Sequence, residues 1–261
     1  MKTRQILIWV ALIATLVVNG LANSLPLNGR TTGEISDSFP VLFTPAGYVF
    51  SIWGLIYLLL IGFAIFQTLP SQRDNPRLQR IGNWFVASAF FNSAWIFLWH
   101  YELFPLTLLA MLALLGSLLV IYLRLDIGSS RVTPVESVLV NLPFSIYLGW
   151  ISVATIANFS VVLYDLGWNG WGIRPEIWTV ILLFVATALG AAMIRLRHEV
   201  AYPLVLVWAF LGIAVRQADT PPVAAASILA SGILLVLLMS RFLRRQRALP
   251  QNGHVSAAQF R

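Results

Sequence analysis

The sequence predicts an all-α integral membrane protein with eight transmembrane helices. Of its 261 residues, 59% are hydrophobic and only 10% are charged, whereas soluble domains carry about 25% charged residues. The apolar residues also form continuous runs close to the roughly 20 residues that a helix needs to cross a bilayer. These runs do not alternate between apolar and polar residues, which excludes a transmembrane β-barrel. The eight runs cover approximately residues 6–25, 47–69, 83–100, 103–124, 137–160, 177–195, 200–216 and 221–241.

The distribution of basic residues predicts the orientation of these helices. With the N-terminus inside, 14 of the 17 Lys and Arg residues fall in inner segments, and only Arg30, Arg174 and Arg216 fall in outer ones. Such an excess on one side is the positive-inside pattern of membrane proteins. We therefore expect both termini in the cytoplasm, residues 26–46 outside, and a bacterial inner membrane as the location.

The first apolar run has a second interpretation. A basic start, an apolar stretch and the small residues around Gly20 and Ala22 also resemble a secretory signal peptide with its cleavage site. The run at 6–25 is long for a signal peptide, and its length favours a retained helix.

Several kinds of chemistry are excluded by what the sequence lacks. It has no cysteine, and no Asp, Glu, Lys or Arg in the centre of any apolar run, so thiolate chemistry and an intramembrane proton relay are not expected. Its three histidines are scattered, and His100, beside Glu102, is expected at the outer surface. The net charge of +7 comes from dispersed residues that form no basic stripe, so no nucleic acid partner is predicted. We predict no catalytic residue, no metal site and no required cofactor, and the sequence leaves open whether the protein is an enzyme.

Three of the predicted helices carry a stripe of aromatic and polar residues on one face. A spacing of three or four residues places side chains on the same side of a helix. One interpretation is packing, in which Asn92 and Asn158 join neighbouring helices by hydrogen bonds. The other is a pocket whose flat indole walls suit a planar ligand. The stripes consist of Phe50, Trp53 and Tyr57; of Trp84, Ser88, Asn92, Trp95 and Trp99; and of Pro143, Tyr147, Trp150, Ala154 and Asn158.

Three ordered motifs resemble the TspO/MBR family of tryptophan-rich sensory proteins. They are FTPAGYVFSIWGLIY at 43–57, NSAWIF at 92–97 and WISVATIAN at 150–158. The chain departs from the family pattern at Ala46 and Tyr48, where the family typically has Pro and Trp. Over residues 6–165, the resemblance implies a five-helix bundle that binds a tetrapyrrole or another hydrophobic ligand beneath the loop after the first helix.

The resemblance and the stripes together give the predicted ligand-binding residues. The family positions imply Trp53, Asn92, Trp95, Trp150, Ala154 and Asn158, and the helical stripes add Phe50, Tyr57 and Tyr147. Trp208→Ala, on the predicted extension, is expected to leave ligand binding unchanged.

The predicted organisation is a TspO-like five-helix core at 1–176, a three-helix extension at 177–243 and a basic cytoplasmic tail at 244–261. The predicted function is a membrane receptor, sensor or carrier for a porphyrin-like ligand, and light-dependent breakdown of that ligand is a weaker possibility. Two different classes of function stay open: a gradient-independent transporter of an uncharged or amphipathic solute, and a non-catalytic membrane assembly protein. The expected partners are the lipid bilayer, a hydrophobic small molecule and, in one arrangement, a second copy of the chain.

Overall fold

A computed structural model describes residues 2–25 and 27–247, with side chains up to residue 244. Within these ranges the chain is all-helical, without a strand, which confirms the predicted class. Eight of its helices have 16 residues or more. They are α1 (Thr3–Ser24), α2 (Ile52–Thr68), α3 (Gly82–His100), α4 (Phe104–Arg124), α5 (Leu142–Asp165), α6 (Pro175–Leu196), α7 (Ala201–Arg216) and α8 (Pro221–Arg247).

Six helical segments in the described part of the chain are long and apolar enough to cross a membrane. Two of the eight predicted spans fall outside this set. One is α7, which has only 16 residues, and the other is α3, whose apolar residues are interrupted by Asn, Ser and His side chains. Six spans are therefore supported, and eight remain a prediction. The six are Thr3–Ser24, Gly47–Thr68, Phe104–Arg124, Pro134–Asp165, Pro175–Leu196 and Pro221–Arg244.

The fifth helical segment is longer at both ends than the predicted run at 137–160. It begins with the turn Pro134–Glu136, where the Thr133 hydroxyl caps the Glu136 backbone N–H, and continues through the π-helical turn Ser137–Asn141 into α5. At its other end, apolar residues continue the helix to Asp165, and Gly167, with φ of +68°, follows. The predicted outer connection at 161–176 is consequently shorter.

The last helix also exceeds its prediction. The prediction ends it near residue 241, but α8 runs to Arg247, because no glycine or proline occurs between residues 241 and 247. The first residues of the predicted tail at 244–261 thus belong to α8, and residues 248–261 lie outside the described part of the chain.

The helices form two connected groups. In the first, α3 packs between α1 and α4, α5 packs on α4 and α2, and α1 also contacts α2. In the second, α6, α7 and α8 pack on one another, and α7 joins them to α5. The α5–α7 contact is close at Gly149, where an added Cβ would lie 3.1 Å from the Tyr202 carbonyl oxygen and 3.1 Å from the Val205 Cβ.

The two ends of the first group differ in how well they are filled. We call the end that carries residues 27–46 the loop end. Near the opposite end, the buried rings of Phe63, Phe85 and Phe144 pack with centroids 5.0 to 6.3 Å apart. Arg77 lies beyond them and donates hydrogen bonds to the Leu125 carbonyl oxygen at 2.6 Å and to Asn141 Oδ1 at 3.2 Å. The interior is therefore closed at this end.

Candidate ligand-binding cavity

Two adjoining cavities lie between the helices of the first group, towards the loop end. The larger has a volume of about 390 Å³, and the smaller has a volume of about 60 Å³. Asn158 lines only the smaller cavity, whereas Tyr147 lines neither and lies behind Asn92. The other seven predicted residues, which all line the larger cavity, are Phe50, Trp53, Tyr57, Asn92, Trp95, Trp150 and Ala154.

One wall of the larger cavity is a group of aromatic rings from α2 and α5. The rings of Trp53 and Tyr57 stack with centroids 5.4 Å apart and planes inclined by 23°. Trp150 meets Trp53 edge-on at 6.3 Å and Phe50 edge-on at 5.6 Å. Because each ring supports the next, this wall is preformed and offers flat apolar surface to a ligand.

Trp95, on α3, is held by its neighbours. Its indole stacks on Trp99 at 5.1 Å, and its Nε1 donates to Asn158 Oδ1 at 3.4 Å. Asn158 in turn donates to the Thr107 hydroxyl at 2.8 Å, and Trp99 donates to the Thr32 carbonyl oxygen at 3.2 Å. Asn158 therefore acts as a bridge from α5 to α3 and α4 as well as a residue of the smaller cavity.

A second polar bridge lies on the other side of the larger cavity. Asn19 Nδ2 donates to Asn92 Oδ1 at 2.7 Å, and Asn92 Nδ2 donates to the Tyr147 hydroxyl at 3.0 Å. All three side chains are buried. These bonds join α1, α3 and α5, as the packing interpretation of Asn92 expects. Asn92 also lines the larger cavity, so it has a position both in the packing of the helices and in the cavity wall.

The indole N–H of Trp150 stands apart from these satisfied groups. Trp150 is only 2% exposed and lines both cavities. Its Nε1 is buried and has no acceptor among the described residues. An unsatisfied buried donor costs about 1–3 kcal/mol. A ligand with a hydrogen-bond acceptor at this point would remove that cost.

Residues 31–50, which we call the cover, close the loop end of the cavity. The cover contains the short helix Thr32–Asp37, where the Thr31 hydroxyl accepts from the Glu34 backbone N–H at 3.2 Å and Glu34 Oε2 accepts from the Thr31 N–H at 2.6 Å. The hydrogen bond from the Thr31 backbone N–H is the main cause that holds the pKa of the Glu34 carboxyl below its usual range. The cover residues that line the larger cavity are Thr31, Thr32, Gly33, Asp37, Gly47 and Phe50.

Some lining residues were missed in the sequence. Asn19 and Asn23 of α1 both line the larger cavity. Their spacing of four residues, continued back to the buried Thr15, is a polar stripe of the same kind as those on α3 and α5, and this stripe could have identified them. Asp37 had no such signal, because it lies in a connection without periodicity.

The expectation for His100 was wrong. His100 is buried rather than at the surface, because the cover folds over it and places the Thr32 hydroxyl 3.4 Å from its Nε2. Trp208 lines neither cavity, and the expectation that its loss leaves binding unchanged stays a prediction, but it contacts the cover. Its Nε1 donates to the Val49 carbonyl oxygen at 3.1 Å, and its ring meets Tyr48 edge-on at 5.5 Å, because α7 packs along the cover.

The fold and the cavity together define a helical membrane protein with an aromatic-walled internal site. A family model described as TSPO-like protein matches residues 5–240. The chain therefore belongs to the TSPO-like family, which confirms the resemblance seen in the three motifs. The match continues past 6–165 through α6 and α7 and into α8. The family supports a general role as a membrane sensor, transporter or binding protein. No curated protein and no solved structure shows a significant match to the chain.

Proposed function

We propose that this protein is a membrane receptor or carrier that binds a planar hydrophobic ligand of the porphyrin class in the larger cavity. The observation that carries the proposal is Trp150, which lines the aromatic-walled cavity and whose buried indole N–H lacks an acceptor in the described chain. Flat conjugated rings stack well on indole and phenol surfaces. A carboxylate or carbonyl group at the edge of such a ligand would accept from Trp150 Nε1.

The size and polarity of the cavity fit binding better than catalysis. Its 390 Å³ fall in the lower part of the range of about 300–1,000 Å³ that is usual for small-molecule sites. Asp37 is the one acidic or basic side chain among the described residues that line it, and Asp37 pairs with Arg216. The remaining walls offer apolar surface, amides and the hydroxyls of Thr31, Thr32 and Tyr57, which can orient a ligand by hydrogen bonds.

The closed opposite end supports reversible binding rather than an open passage. The rings of Phe63, Phe85 and Phe144 fill the bundle beneath the cavity. A ligand held against the Trp150 wall can therefore return to the loop end without crossing the bundle. Movement to the other side of the membrane would require these three rings to separate.

The test is a titration of the purified protein in lipid nanodiscs with protoporphyrin IX, followed by quenching of tryptophan fluorescence. We expect saturable quenching that a smaller planar aromatic compound reduces in competition. A long-chain fatty acid, which is apolar but not planar, should compete poorly. Quenching that does not saturate, or equal displacement by the fatty acid, would rule out a site selective for planar ligands.

We also propose that α3 and α7 cross the membrane, which gives eight spans, and that the cover lies outside with both termini in the cytoplasm. Fourteen of 17 basic residues then lie on the inner side. The chain has no native cysteine, so single replacements report accessibility cleanly. In spheroplasts, a membrane-impermeant maleimide should label Ser38→Cys, in the cover, and should label Ser71→Cys, at the opposite end, only after permeabilisation. The reverse pattern would overturn the orientation.

A further inference from the structure

We infer that α7 anchors the cover, and that Trp208, Gly212 and Arg216 are positioning residues that control how readily the cavity opens. The inference rests on the proposed function only in taking this cavity as the ligand site. It assigns a role at the site to the predicted extension, which contributes none of the residues that line either cavity.

The three residues lie on one face of α7. They are spaced four residues apart, so they lie on the same side of the helix, and each makes a different contact with the cover. Trp208 Nε1 donates to the Val49 carbonyl oxygen at 3.1 Å. The Gly212 carbonyl oxygen accepts from the Ala46 N–H at 3.0 Å.

The third contact differs in kind, because it joins two charged side chains. Arg216, in the last turn of α7, pairs with Asp37 at the end of the short cover helix. Asp37 itself lines the larger cavity. The contacts of α7 therefore reach residues at or beside the cavity wall at two places, Asp37 and the segment 46–49.

Gly212 allows the segment 46–49 to lie directly on α7. A Cβ added at Gly212 would lie 2.2 Å from Val49 Cγ2 and 3.1 Å from the Pro45 Cβ. A side chain at this position would push the segment away from α7. Since Val49 is fully buried and precedes Phe50 of the cavity wall, this contact positions one side of the site.

The two contact regions respond differently to their surroundings. At segment 46–49 the cover contributes backbone atoms to the hydrogen bonds and apolar atoms to the packing, which makes this side a fixed attachment. The Arg216–Asp37 pair is a partly exposed ion pair, with side-chain exposures of 25% and 55%. Such a pair is weak and is screened by salt. The cover is therefore fixed near 46–49 and releasable at Asp37.

The experiment measures opening of the cavity without any ligand. Ala154 lines both cavities, and the protein has no other thiol, so Ala154→Cys reports access through its rate of reaction with N-ethylmaleimide. In this background Arg216→Gln should raise the labelling rate about twofold to fivefold, the range for losing a surface ion pair. Because no ligand is present, a failed porphyrin titration would leave this result intact.

The matched control is Arg197→Gln. Arg197 pairs with Asp126 at the opposite end of the bundle, with side-chain exposures of 29% and 55%, nearly those of the Arg216 pair. The substitution and the type of pair are the same, but the cover is not involved. Arg197→Gln should therefore label at the parent rate.

A double-variant cycle and a salt series complete the test. Asp37→Asn should accelerate labelling as Arg216→Gln does, and the two together should be no faster than either alone, because they break one interaction. Raising the salt concentration should accelerate labelling of the parent and should not affect Arg216→Gln. The inference is overturned if Arg216→Gln labels at the parent rate or if Arg197→Gln accelerates labelling equally. It is also overturned if Arg216→Gln and Asp37→Asn together accelerate labelling more than either does alone. If Arg216→Gln does not fold, the salt dependence of the labelling rate of the parent is the test. A labelling rate that does not rise with salt would then overturn the inference.

Discussion

Replacing Trp150 with alanine is expected to weaken the binding of protoporphyrin IX by about tenfold to hundredfold. Loss of one aromatic stacking surface costs about 1–3 kcal/mol on the scale measured for bases on aromatic side chains. Trp150 also supplies the one indole N–H of the cavity wall that is buried without an acceptor among the described residues. The affinity should be measured from the absorbance of the porphyrin, so that removing a tryptophan does not alter the signal.

Two further variants separate binding from packing. Trp150→Phe keeps a ring beside Phe50 and Trp53 but removes the N–H, and we expect an intermediate loss of affinity. Trp178→Ala removes a tryptophan that packs with Trp168 and Trp171 and lines a separate cavity of about 470 Å³, and should bind as the parent does if the ligand occupies the Trp150 site. All variants must first be shown to be folded, because removal of a packed ring leaves a void. If Trp150→Ala binds like Trp178→Ala, the aromatic wall serves packing alone.

Gly128→Ala is expected to destabilise the protein by about 2–5 kcal/mol, the sum of two costs. Gly128 has φ of +85°, a region that costs an L-residue about 1–2 kcal/mol. Its added Cβ would also lie 1.8 Å from the carbonyl oxygen of Arg197, so the backbone would have to move. The displacement would separate the α4–α5 connection from the α6–α7 connection and break the Asp126–Arg197 pair. Thermal unfolding in detergent measures the loss.

Gly172→Ala is the matched control for this prediction. Gly172 also has a positive φ, +76°, but nothing lies within 4 Å of its added Cβ. It should lose only the backbone contribution of about 1–2 kcal/mol. Equal destabilisation by the two variants would show that the close approach of Gly128 to Arg197 contributes little.

The helices and much of the cavity wall could be predicted because both follow from local periodicity. Apolar runs located all eight long helices to within a few residues at most ends, and the stripes on α2, α3 and α5 identified the inward faces. Both ends of the fifth segment were misplaced, because they depend on a capped turn at Thr133 and on Gly167. Hydropathy averages over many residues and does not detect such signals. A cap depends on a single polar side chain, and a helix end can depend on the backbone conformation of a single residue.

The roles of the cover and of α7 could not be predicted in this way. Asp37 and Arg216 are 179 residues apart in sequence, and neither lies in a periodic pattern that points to the other. Similarly, nothing local marks the backbone bond between Ala46 and Gly212. Contacts of this kind depend on how helices are arranged, which the composition of the last three helices does not specify.

The polar residues of α1 have a consequence for how the chain is synthesised. Gln5 Nε2 donates to the Gln67 carbonyl oxygen at 2.7 Å, Trp9 donates to the Thr68 hydroxyl at 2.9 Å, and Asn19 donates to Asn92. These partners are 59 to 73 residues further along the chain, so they leave the ribosome after α1 has already reached the membrane. Until α2 and α3 arrive, α1 is a nascent span whose polar groups lack their partners on these helices, and the bond between Asn19 and Asn92 can form only after α3 has also left the ribosome.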